Sequence, residues 1–131
     1  MFRIATIFLA VLCAGSPSGA AAAQAVKPVP RIEVTAPGDV AMVEVLNDAL
    51  AALSEKVTAC VNAGRKPETC RCSYPQELTR LRTSYARLIQ RHPEWKDQLL
   101  SYHRLDKDGR NISGTLVLES LRRQLEVLQC K

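Results

Sequence analysis

The sequence predicts an all-α fold: a small up-down helical bundle of three long helices plus one short helix, following a cleaved signal peptide and an extended proline-rich arm. Three observations carry this expectation. Four stretches repeat apolar residues at steps of three and four, glycine and proline separate them, and almost nothing shows the alternation of a strand.

The N-terminus has the charged, apolar and small-residue order of a secretory signal. Met1-Phe2-Arg3 precedes an uncharged run from Ile4 to Ala14, and a small-residue stretch leads to a cleavage point near Ala23. The apolar run is too short for a bilayer span, which needs about 20 residues. Cys13 follows Leu12, where a lipoprotein signal needs a small residue, so it is expected to leave with residues 1–23. Cleavage leaves about 108 residues, one domain by size. It also lowers the formal charge from +5 to +4 by removing Arg3. That surplus keeps a chain soluble and slightly favours acidic partners, but it is too small to imply nucleic acid.

Residues 24–38 hold Pro28, Pro30 and Pro37 among Val and Ile and read as an extended, poorly ordered arm. Ile32-Glu33-Val34 has strand character, with no evident second strand to receive it. The helical domain is expected over residues 39–131. Its first helix starts at Asp39 as N-cap and runs to about Asn62, with Val43, Leu46, Leu50, Leu53, Val57 and Cys60 in one stripe. Gly64 and Pro67 stop it. The second starts at a capping box, Ser73 with Gln76, and runs to Arg91 before His92-Pro93. Trp95, Leu99 and Tyr102 suggest the short helix, which Asp106-Lys107-Asp108-Gly109 ends as a turn. The last helix is expected from about Thr115, capped by Ser113 or Thr115, with Leu118, Leu121, Leu125 and Leu128 on one face.

Four cysteines remain after cleavage: Cys60, Cys70, Cys72 and Cys130. An even count in a small exported domain reads as a disulfide framework, because the compartment is oxidising and a modest core needs support. A bond between Cys70 and Cys72 is disfavoured by strain, so each takes Cys60 or Cys130. Cys60–Cys70 with Cys72–Cys130 is the preferred pairing, and it requires the last helix to fray before Cys130 or its partner to reach around the bundle. The alternative of a thiolate metal site has the wrong spacing for a zinc ribbon or finger.

Other chemistry is weaker. Asp106-Lys107-Asp108-Gly109-Arg110-Asn111 resembles the opening of a calcium-binding EF-hand loop, but Arg110, Asn111 and Val117 stand where an oxygen ligand, glycine and glutamate belong. A hydrolytic set drawn from His92, Glu94, Asp97, Ser101 and His103 has no supporting motif, and no catalytic, metal or cofactor residue is assigned. Asn111-Ile112-Ser113 matches a glycosylation acceptor, which the bacterial look of the alanine-rich signal makes irrelevant. On the second helix, Arg80, Arg87 and Arg91 fall at steps of seven and four, one stripe suited to carboxylates or phosphates. Its competing explanation is internal complementarity to the acidic first helix.

The expected function is therefore a non-enzymatic, periplasmic or secreted interaction module, such as an adaptor, inhibitor or chaperone-like factor, whose partner is another envelope or secreted protein. The alternative is a small exported enzyme or ligand binder built on the His92–His103 segment. No nucleic acid is expected as a partner, and membrane association through the arginines ranks third.

Overall fold

The computed structural model of the chain describes residues 30–130. The expected signal peptide lies outside them, as do residues 24–29 of the arm. The fold is not purely helical: four α-helices accompany a three-stranded mixed sheet. In chain order these are β1 (Arg31–Val34), α1 (Pro37–Asn62), α2 (Pro67–Cys72), α3 (Pro75–Arg91), β2 (Leu99–Leu105), β3 (Asn111–Val117) and α4 (Leu118–Val127). A single 3-10 turn over Pro93–Trp95 joins α3 to β2.

The expected short helix is where the helical reading fails. Trp95, Leu99 and Tyr102 do recur at steps of four and three, but Leu100 and Tyr102 also alternate with Ser101 and His103. The second pattern prevails because a partner strand exists. Asp106–Arg110 forms a hairpin turn, with Gly109 at φ +76°, a left-handed conformation natural to glycine. It returns the chain as β3, antiparallel to β2, with Leu100 opposite Leu116 and Tyr102 opposite Gly114. Ser113 and Thr115, expected to cap a helix, therefore stand in a strand.

The second correction concerns the arm. β2 supplies the receiver that Ile32-Glu33-Val34 lacked, and residues 31–34 pair with it in parallel, Ile32 beside Leu100 and Val34 beside Tyr102. The sheet order is β1-β2-β3. One face is apolar: Val34, Leu100, Tyr102 and Leu116 pack into the same core as the helical leucines. Leu46, Leu81, Leu88, Leu100 and Leu118 are fully buried there, each contributing about 1.5–3 kcal/mol of transfer free energy. Gly114 is required by close approach, since a Cβ there would lie 2.7 Å from the Tyr102 ring.

The long helices follow their stripes, with shifted ends. α1 begins at Pro37 and not at Asp39, since proline at a helix's first position loses no hydrogen bond. The same logic turns Pro67 from a stop into the start of α2, an unexpected helix carrying both Cys70 and Cys72. The Ser73–Gln76 capping box is not formed. Ser73 Oγ donates to the Thr69 carbonyl at 2.8 Å, closing α2, and α3 starts at Pro75.

Cys60 bonds Cys70, tying α1 to α2, and Cys72 bonds Cys130 beyond α4. Their Cα separations of 5.7 and 5.4 Å fall in the ordinary disulfide range. α4 ends at Val127, and an extended Leu128 releases the chain toward Cys72.

Candidate functional site

The arginine stripe of α3 divides into two parts. Arg91 donates from Nε to Asp39 Oδ1 at 2.8 Å, joining the end of α3 to the first turn of α1. Asp39 is thus a tie between helices, not the N-cap expected from its place after Pro37-Gly38. His92 Nε2 lies 3.1 Å from the same carboxylate oxygen, and its ring stacks on Trp95 with centroids 3.7 Å apart. His92, with Arg91, holds the Asp39 carboxyl below its ordinary value against the opposing effect of burial. Arg91 accordingly fits the internal role weighed against partner binding.

Arg80 and Arg87 do not. Both are exposed, and neither has a carboxylate partner among the described residues. The acids that were to complement them are engaged elsewhere or face water. Glu44 of α1 pairs with Arg104 of β2, Asp48 and Glu55 are exposed, and the second contact of this kind between α1 and α3 has the opposite polarity, Lys56 with Glu77. Lys56 holds the Glu77 carboxyl below its ordinary value. Arg87 also borders a cleft of about 170 Å³ between α1 and α3, with Ala41, Met42, Val45 and Ser84. Val45 is 48% exposed there. A guanidinium beside apolar side chains suits a partner that presents a carboxylate next to an apolar residue.

The His92–His103 segment is dispersed by the fold. His92 closes α3, Trp95 is buried, and Asp97 pairs with Arg122 at 2.9 Å. Ser101 and His103 belong to the outer face of the sheet. Ser101 is buried there and its Oγ accepts from Arg31 Nε at 3.1 Å, while His103 Nδ1 lies 3.5 Å from Glu33. These four residues, with Ser113 and Thr115, border an open hollow of about 390 Å³ that includes neither His92 nor Trp95. Ser101 Oγ accepts from Arg31 and keeps its own O–H to donate, and neither His92 nor His103 is hydrogen-bonded to it among the described residues. The Asp106 turn is likewise committed: its Oδ1 accepts from the amides of Asp108 and Arg110, and the Arg110 side chain bonds both Asp106 and Asp108.

Sequence reasoning missed the residues of the outer sheet face as a group. The signal was present in Asp108-Gly109 between two alternating runs, a hairpin signature.

The fold defines a disulfide-braced α-plus-β domain with a helical layer on one side of a small mixed sheet. Compared with known protein families, curated proteins and solved structures, the chain matches none. Among the described residues no helix is long and apolar enough to cross a membrane. That and the two disulfides are compatible with an extracellular location.

Proposed function

We propose that the chain is an exported protein-interaction module, periplasmic or secreted, that binds an acidic surface of another envelope or secreted protein through Arg80, Arg87 and the cleft that Arg87 borders. The single observation that carries the reading is the division of one arginine stripe: Arg91 is spent on Asp39, whereas Arg80 and Arg87 stand exposed with no carboxylate partner among the described residues. Seven residues apart, Arg80 and Arg87 have their Cα atoms about 10 Å apart along the helix axis, a spacing from which their side chains can reach two carboxylates on a partner helix.

The test is photo-crosslinking in the host from an exposed position in the cleft, Ala41, followed by binding measurements on the captured protein. R80Q/R87Q is expected to weaken binding about tenfold or more while leaving the melting temperature unchanged. R91Q is expected to do the reverse. Undiminished binding by R80Q/R87Q rejects the reading. The outer-face hollow, with Arg31, Glu33 and His103 on its rim, supports ligand binding as the second reading. Small-molecule screening by NMR, with shifts at Ser101 and Thr115, distinguishes it.

A further inference from the structure

We propose that the free edge of β3 is a self-association site, on which a second copy of this chain pairs its own β3 antiparallel to form a continuous six-stranded sheet. Leu118 N donates to Gln98 O and Asp106 N to Arg110 O, both at about 3 Å. Strand groups alternate in direction, so Ile112, Gly114 and Leu116 turn their amides and carbonyls toward β2. Asn111, Ser113, Thr115 and Val117 therefore turn theirs outward along an edge with no strand beside it among the described residues.

Edges of this kind template further pairing unless they are short, charged or interrupted by proline. β1, the opposite edge, is guarded in all three ways: it has four residues, includes Arg31 and Glu33, and follows Pro30. β3 has seven residues, no charge and no proline.

A second copy fits this edge better than a foreign strand because the edge complements itself. Laid antiparallel over its full length, Asn111 of one copy meets Val117 of the other and Ser113 meets Thr115. Those are the outward residues, so the full-overlap register is also the hydrogen-bonding register, and every outward group finds a partner. The two-fold axis passes through Gly114, whose pair is of the close, non-hydrogen-bonded type, where the absence of a side chain relieves crowding. Ile112, only half-buried in one copy, meets Leu116 of the other. Ser113 and Thr115 form hydroxyl pairs on the outer face, as cross-strand neighbours do. Beyond the strand ends, the turn with Lys107 and Arg110 comes beside the start of α4 of the second copy, where Glu119 stands.

The site is separate from the arginine flank and does not rest on the reading of it. The test uses the disulfide-bonded chain purified from cells expressing the whole sequence, examined by sedimentation equilibrium from about 1 µM to 1 mM. Concentration-dependent dimerisation is expected in the wild type. S113K/T115K sets lysine opposite lysine twice and is expected to weaken dimerisation about tenfold or more. S113K/T115E sets lysine opposite glutamate in this register and is expected to dimerise at least as tightly as wild type. Both positions are exposed, and circular dichroism checks that each variant is folded. A wild type that stays monomeric to 1 mM overturns the proposal, as does a dimer indifferent to S113K/T115K, or S113K/T115E behaving like the double lysine. A monomer whose β3 amides gain exchange protection only from another protein's strand also overturns it.

Discussion

Asp39 shows how one residue changes meaning between the sequence and the fold. In the sequence it is a helix cap. In three dimensions its carboxylate sits in the first turn of α1, accepts from Arg91 and lies against His92, so it ties the start of one helix to the end of another. D39N should cost about 1.5–3 kcal/mol at neutral pH, measured by urea unfolding. The carboxyl is held below its ordinary value of 3.8, so its contribution is fully present above that pH and is lost as pH falls through the lower folded value. The gap between wild type and D39N should therefore close under acid, not base. Gly114 carries a different constraint. In G114A the new methyl would meet the Tyr102 ring at 2.7 Å, and overpacking of that kind costs about 1–3 kcal/mol. A denaturation midpoint unchanged by G114A would show that the ring has room to move.

At the scale of elements, the long helices were legible because their apolar steps stay in register for several turns. Leu46 and Leu53 of α1, Leu81 and Leu88 of α3, and Leu118 and Leu121 of α4 are buried as their stripes require. The strands were not, for two physical reasons. The seven residues of β2 are too few to separate a period of two from one of three and a half, since Leu99 and Tyr102 stand three apart and Leu100 and Tyr102 two. And β1 cannot be credited until β2 exists to receive it. The Asp108-Gly109 turn was the missing local clue. The disulfides act on different lengths of chain, 10 residues between Cys60 and Cys70 and 58 between Cys72 and Cys130. Loop-closure entropy grows with length, contributing about 3 kcal/mol for the short loop and about 4 for the long one. C72A/C130A should accordingly lower the calorimetric melting temperature more than C60A/C70A does.

For the whole molecule, the two bonds together approach the entire stability of a typical domain, about 5–15 kcal/mol. Full reduction should lower the melting temperature by tens of degrees or abolish the cooperative transition, as circular dichroism with and without reductant will show; a reduced chain that melts as before would separate the disulfides from stability. The arginine stripe was visible in the sequence as a spacing of seven and four, yet its division was not, because only the packing of α3 against α1 brings Arg91 to Asp39 and leaves Arg80 and Arg87 outside. What the sequence determined by itself were properties set by neighbours along the chain: the amphipathic helices, the four cysteines from Cys60 onward, and the mild positive charge. The tertiary structure decided what depends on distant partners. It turned the segment around Ser101 into the centre of a sheet, selected the preferred pairing from those that four cysteines allow, and separated the arginines into a tie and a free pair. The reason is common to all three: hydrogen bonds of strands, disulfides and ion pairs between elements link residues tens of positions apart, where local periodicity holds no information.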